Sequence, residues 1–183
     1  MAIKLQRTEV EGRSVRVTNP FNKAVELHEF ETEAEASAMA SVVAEALSWV
    51  GTPFRDCTDV KGPGGGIDCA MLLVRAYVDT GVVPPFDPRP YPPQWHMNNS
   101  EEKFLEWLEG PLGCSRVDRP RLGDVVVYQY GRCYSHGALI TNNKEIVHAY
   151  TRSAVCHVSL QTETDLMFLR SGKPRPRLYF RVG

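Results

Sequence analysis

The five cysteines are odd in number and include no CxxC pair. That argues against a disulfide framework and a CxxC-type zinc module, and for synthesis in a reducing compartment. No run approaches the roughly 18 apolar residues that a membrane span needs. The opening residues, MAIKLQRTEVEGR, hold no apolar secretory core, so the expectation is a chain made in the cytoplasm without an ordinary signal peptide. Net charge is −1, too small for a bulk attraction to nucleic acid or to a membrane surface. Internal repeats are lacking too. What is left is an ordinary globular composition, 43% hydrophobic and 23% charged over 183 residues, long enough for one domain with a core of normal size.

The most informative stretch is GPGGGIDCAMLLVRAYVDTG, from Gly62 to Gly81. Gly62, Gly64, Gly65 and Gly66 allow a tight turn that lies close to other atoms. Asp68 is a good N-cap, able to accept from the amides of Ala70 or Met71. Cys69 then starts a helix whose inward face runs through Leu72, Leu73, Ala76 and Thr80 and which stops at Gly81. A thiol there feels the unpaired N–H groups of the first turn, which favour thiolate and can also hold an oxyanion. On this stretch alone, a small buried hydrophobe is the commoner role for such a cysteine.

Around it, the alternation of Val15 and Val17, and of Val25 and Leu27, with a turn at Asn19-Pro20, predicts an N-terminal hairpin within residues 1–30, packed on the domain edge, with His28 on the surface. Thr32-Glu33-Ala34-Glu35 predicts a capped helix to about Val50, with Met39, Val42, Val43, Ala46 and Val50 inward. Cys57 lacks a helix-start context and reads as structural. Six prolines between Pro84 and Pro93 exclude helix and central strand, so 84–99 reads as a stiff surface segment. Trp95 and His96 follow, either as a groove wall or as packing beneath the loop. Ser100–Glu109 predicts a short helix with Phe104, Leu105 and Leu108 inward. From Gly123 the pattern turns to short strands, 124–130, 134–141, 145–150, 155–159 and 178–182. Helices first and a strand meander second predict an α+β domain with the helices packed on an antiparallel sheet. Arg170, Lys173, Arg175, Arg177 and Arg181 read as a solvated edge. Cys114, Cys133, Cys156 and His157 read as packed, structural groups.

Cysteine nucleophiles need a base in hydrogen-bond reach and a third group to orient it. His136 and His148 both sit inside strands, on two arms of one hairpin. A three-residue loop at Thr141–Asn143 places them opposite each other on one face; a two-residue loop sends them to opposite faces. Cys69, His136 and His148 are therefore the candidate catalytic residues. The same three also satisfy a three-ligand zinc site by residue type, although no spacing is diagnostic.

The segments GTPFRD, GIDCAMLL, RLGDVVVY, SHGALI and IVHAY, in that order over about residues 40–150, resemble the NlpC family of bacterial cell-wall cysteine peptidases. The YPPQWH segment with GRCYSHG and IVHAY is more narrowly similar to bacteriophage tail-associated members. The resemblance implies a papain-like fold with Cys69 as nucleophile, His136 as general base and His148 as orienting residue. It implies hydrolysis of peptidoglycan stem peptides, typically between D-isoglutamate and the diamino acid, at the cell wall and in the company of phage tail proteins. No metal or cofactor is called for. Phe54, Asp68, Ser135 and Trp95 are the candidate substrate contacts. The chain departs from the family in having Phe54 where Tyr is usual, and Ala70-Met71 where Ser-Gly is usual. A wall-binding protein without turnover, and an acyltransferase or amidase using the same Cys–His pair, are the alternatives.

Overall fold

The computed structural model of the protein describes residues 6–19, 22–92, 100–150 and 153–183. It opens on a three-stranded antiparallel sheet, β1 (Arg7–Glu11), β2 (Ser14–Thr18) and β3 (Val25–Glu29), in the order β1-β2-β3. The expected hairpin is its β2–β3 half. β1, RTEVE, has a single apolar residue and gave no strand signal. Val15 and Val17 are buried, and the register sets Val15 opposite His28 and Val17 opposite Glu26. His28 is therefore buried, at 5% exposure, while Leu27 points outward at 55%. This corrects the reading of His28 as a surface residue: the face of β3 is decided by its partner strand, whose two valines need the core. The small sheet is fastened by Gln6 Nε2 to the Thr141 carbonyl (3.0 Å), Asn19 Nδ2 to Glu145 (2.9 Å) and the Asn143 amide to Glu26 (2.9 Å).

α1 (Glu33–Ser48) begins as its sequence dictates: the Thr32 hydroxyl accepts from the Glu35 amide at 3.1 Å. Glu35 reaches one residue further back than a capping box requires, accepting from the Glu31 amide. Ala36, Met39, Val42, Val43, Ala46 and Leu47 form its buried face. The chain then makes a short hairpin, β4 (Asp59–Val60) with β5 (Gly66–Ile67). A Cβ at Gly65 would fall 1.8 Å from the Val60 carbonyl oxygen, so the glycine loop lies close to its own backbone. α2 (Cys69–Val78) follows, with every residue of Ala70–Val74 buried, and Ala76 and Tyr77 as well. Met71, Leu72 and Leu73 each contribute roughly 2–3 kcal/mol by leaving water. α2 ends at the Asp79 cap, short of Thr80; Gly81 lies beyond it in the left-handed region (φ +73°), closing the turn onto the Val78 carbonyl.

α3 (Lys103–Glu109) buries Phe104, Leu105 and Leu108, as its pattern predicts. β6 (Cys114–Val117), β7 (Val125–Tyr130), β8 (Cys133–Ile140), β9 (Glu145–Ala149) and β10 (Val155–Ser159) lead to a short α4 (Thr164–Met167) and a last strand, β11 (Arg177–Val182). They form one six-stranded antiparallel sheet in the order β10-β9-β8-β7-β11-β6. The meander β7–β10 is the expected one; β11 inserts between β7 and β6. The main core lies between this sheet and α1, α2 and α3. A smaller cluster of Val126, Tyr128, Ala138, Ile140, Ile146 and Leu166 covers the other face. The architecture is α+β, with helices packed on an antiparallel sheet. Among the described residues no helix is long and apolar enough to cross a membrane.

The C-terminal basic residues are not simply a solvated edge. Arg181 grips the buried Asp124 through Nε (3.0 Å) and a terminal nitrogen (2.7 Å). Arg175 donates to the carbonyls of Gln129 and Asp165 and lies over the Tyr130 ring at 4.0 Å. Arg170 and Lys173 are exposed, as expected.

Candidate active site

Cys69 is the first residue of α2, and Asp68 sets its position. One oxygen of the Asp68 carboxylate, Oδ1, accepts from the amides of Ala70 (3.1 Å) and Met71 (2.9 Å). The other, Oδ2, accepts from the Cys57 amide and the Tyr91 hydroxyl, both at 2.7 Å. The half-buried Cys69 directs its sulfur at β8, 3.9 Å from the Ser135 carbonyl oxygen. The Gly137 amide also faces the sulfur and favours its ionised form. The thiol is thus bracketed by the main-chain groups on either side of His136. Gly137 also lets the helices pack closely on this strand. A Cβ there would lie 2.5 Å from Phe104 Cζ and 2.8 Å from Leu73 Cδ1, so α2 and α3 could not rest directly on β8.

His136 Nε2 lies 2.9 Å from His148 Nδ1, with the rings at 80°. The two imidazoles share a face, but the register differs from the expected one. Leu139 pairs with Val147 and Ile140 with Ile146, and the Thr141 amide bonds to the Glu145 carbonyl. The loop is therefore Asn142–Lys144, one residue later than Thr141–Asn143. His148 sits diagonal to His136 on β9, not directly opposite, and a diagonal pair is still within reach of two rings. A register shift between Tyr128 and Gln129 leaves Ser135 as an extra residue on β8, immediately before His136. Tyr130 meets the His136 ring edge-on at 5.7 Å, and Tyr150 lies 5.6 Å from the His148 ring.

The electrostatics reverse one expectation. The Cys69 thiol is pushed up to about 12, first by burial and then by the neighbouring Asp68 charge. The amides of Gly137, Cys69 and Ala70 oppose this but are outweighed. Both causes act against the thiolate that a helix N-terminus alone would favour. Burial lowers His148 to about 4, so its ring is neutral at physiological pH. If His136 becomes an imidazolium, both its nitrogens donate, and His148 Nδ1 must be the acceptor between them. Burial also raises the Asp68 carboxyl, against the hydrogen bonds from Met71, Tyr91 and Cys57 that hold it ionised.

The candidate substrate contacts fare differently. The Asp68 carboxylate is buried and carries four internal donors, which makes it scaffold beneath the site and not a substrate contact. The Ser135 side chain is also buried, its hydroxyl directed at the Tyr130 carbonyl (3.4 Å), and only its main chain faces the sulfur. Phe54 is half-buried beside this segment, its amide bonded to the Ser153 carbonyl and its neighbour Arg55 bonded to Ile67. Trp95 and His96 lie outside the described residues. Ala70 and Met71 are buried, so the departure from Ser-Gly falls in the core. Cys57 donates its thiol to the Tyr91 carbonyl at 3.1 Å, a structural contact. His157 pairs with Thr141 and Glu145 away from the thiol. Cys114 and Cys133 are buried, and Cys156 is half-buried.

Tyr91, Tyr130 and Tyr150 were not singled out by sequence. Tyr128 and Tyr130, two apart on one strand, were the available signal for aromatic rings on the face of His136. Among the described residues no three His, Cys, Asp or Glu side chains are grouped to hold a metal, so the zinc reading lacks its ligand cluster.

No protein-family model matches the chain, and no curated protein matches it. Solved structures do. NlpC1 from Trichomonas vaginalis is 13% identical over 92% of this chain, with a TM-score of 0.51, and this chain covers 54% of that protein's length. A hypothetical invasion protein of Mycobacterium tuberculosis is 13% identical over 86% of this chain and 67% of that one, with a TM-score of 0.50. The NlpC/p60 domain of the peptidoglycan hydrolase SagA is 18% identical over 76% of this chain and 96% of that one, at 0.49. At such identities the likeness speaks to the fold alone. The fold shared with NlpC1 is α+β, with helices packed on an antiparallel sheet.

Proposed function

We propose that the chain is a member of the NlpC family, a cysteine endopeptidase that hydrolyses peptidoglycan stem peptides. The bond is the one between D-isoglutamate and the diamino acid, and the site of action is the cell wall, as part of a bacteriophage or prophage tail. The observation that carries the reading is the placing of a helix-start thiol between the Ser135 carbonyl and Gly137 amide of the strand that bears His136, with His136 tied to His148 at 2.9 Å. The ordered motifs and the shared fold support it.

In this reading Cys69 is the nucleophile and His136 the base. Burial and the Asp68 charge favour the protonated sulfur, and His136 takes its proton as the sulfur attacks the peptide carbonyl. The oxyanion rests on the Cys69 amide, since the Ala70 and Met71 amides are engaged by Asp68. Collapse breaks the C–N bond, and His136 returns the proton to the departing amine. Water, deprotonated by His136, then hydrolyses the thioester. His148 remains neutral throughout and accepts from His136 Nε2. Digestion of purified sacculi, with mass spectrometry of the released fragments, reports activity and bond together. Cys69→Ala abolishes release; a Cys69→Ala protein that still cleaves refutes the assignment.

The burial of the Cys69 thiol beside the Asp68 charge, both of which disfavour thiolate, supports a second reading, wall binding without turnover. Sedimentation of the protein with sacculi that stay undigested would select it.

A further inference from the structure

Capping α2 uses only one oxygen of Asp68. Oδ1 takes both helix amides, and Oδ2 is left for groups outside the helix, the Cys57 amide and the Tyr91 hydroxyl. Tyr91 comes from the proline-rich segment that follows α2. It is buried, its ring is 5.1 Å from that of Trp107, and its carbonyl accepts from the Cys57 thiol. Tyr91, Cys57 and Asp68 thus close a ring of three contacts around the residue that precedes Cys69. The segment is fastened a second time two residues earlier: Arg89 pairs with Asp59 at 2.8 Å, and Asp59 lies 3.7 Å from Arg75 of α2.

We propose that Tyr91 is a positioning residue for the nucleophile: with the Cys57 amide, its hydroxyl holds the second oxygen of Asp68 and so fixes the turn from which the Cys69 sulfur projects. The proposal deepens the peptidase reading and rests on it for its kinetic consequence. The physical case is that a buried carboxylate oxygen left with one donor in place of two rotates or takes up a proton more readily, and either change moves the first turn of α2. A nucleophile and a base held by different elements tolerate little such drift.

The test is Tyr91→Phe in the intact chain, which keeps the ring against Trp107 and removes only the donor. The expected result is a kcat lower by about tenfold with KM within about twofold of the parent. Alkylation of Cys69 by iodoacetamide, followed by peptide mass spectrometry from pH 6 to 10, shifts along the pH axis. In an Asp68→Ala background the further change Tyr91→Phe adds nothing, because both act through one contact. An unaltered kcat and alkylation profile in Tyr91→Phe overturns the proposal, as do effects of the two substitutions that simply multiply. Should Tyr91→Phe fail to fold, Asp68→Ala removes the oxygen that Tyr91 holds; an unchanged alkylation profile there overturns the proposal. A parent protein that cleaves nothing, combined with a shifted alkylation profile in Tyr91→Phe, sinks the peptidase reading and leaves the role of Tyr91 standing.

Discussion

His136 Nε2 and His148 Nδ1 are 2.9 Å apart, and the two residues get there from a diagonal position across the β8–β9 hairpin. One ring is half-buried and the other is 1% exposed and neutral. The buried ring therefore offers a fixed acceptor that does not compete for the proton in transit. Replacing it should affect rate more than binding. His148→Ala is expected to lower kcat for peptide release by about 100-fold. His148→Asn, whose Oδ1 can stand where Nδ1 stood, is expected to recover much of this. Equal losses in the two variants would argue for a packing role alone.

Acid sensitivity follows from the same burial. The folded protein holds His148 at about 4, below its ordinary 6.5, so the unfolded chain binds this proton first as pH falls. Stability from this group is complete above about pH 6.5 and is lost as pH falls through about 4, on the order of 3 kcal/mol in all. His28 and His157 are also lowered by burial, so they act in the same direction. Urea melts between pH 4 and 7 measure the slope, and His148→Gln should flatten it.

Cys69 gives the opposite window. Its thiol is raised to about 12 in the folded protein from an ordinary 9, so its contribution is intact below about pH 9 and is lost as pH climbs toward 12. At pH 7 iodoacetamide should label Cys69 more slowly than it labels a short peptide bearing the same sequence. Faster labelling in the folded protein would show that His136 overcomes the cost of burial in the resting state.

Asp68→Ala removes the cap of α2 and also strands the Cys57 amide and the Tyr91 hydroxyl in a buried place. Cap loss costs about 1 kcal/mol and each stranded donor about 1 kcal/mol or more, so a loss of roughly 3 kcal/mol is expected from urea denaturation. A loss below about 1 kcal/mol would mean that water or a shifted backbone replaces the carboxylate.

Gly137→Ala puts a methyl 2.5 Å from Phe104 Cζ and 2.8 Å from Leu73 Cδ1, in a contact with no spare room. The expected cost is about 1–3 kcal/mol from overpacking, read as a lowered melting temperature. Activity should fall further than stability alone accounts for, because β8 must move off α2 and carry His136 with it.

Some of this molecule is written in short stretches. Asp68 followed by an apolar helix fixes the cap and the starting position of Cys69, because capping joins groups only two or three residues apart. Thr32 does the same for α1, and the alternation from Gly123 onward marks the meander. Whether His136 and His148 share a face turned on loop parity, which the sequence left open between three residues and two and which the β8–β9 pairing decided.

Three things were decided only when the elements met. The β8–β9 register moved the loop to Asn142–Lys144, pairing Ile146 with Ile140 and Val147 with Leu139; a two-residue slip leaves every side chain on its own face, so strand parity alone does not fix it. His28 turned inward because β2, not β3, owned the side chains that needed the core. The acidity of Cys69 was set by desolvation and by the Asp68 charge, two quantities that do not exist along a one-dimensional chain. Spacing along the backbone determines which residue starts a helix and which way a strand residue faces. Water exclusion and the fields of distant neighbours, which govern what a thiol or an imidazole can do, arise only from the packed whole.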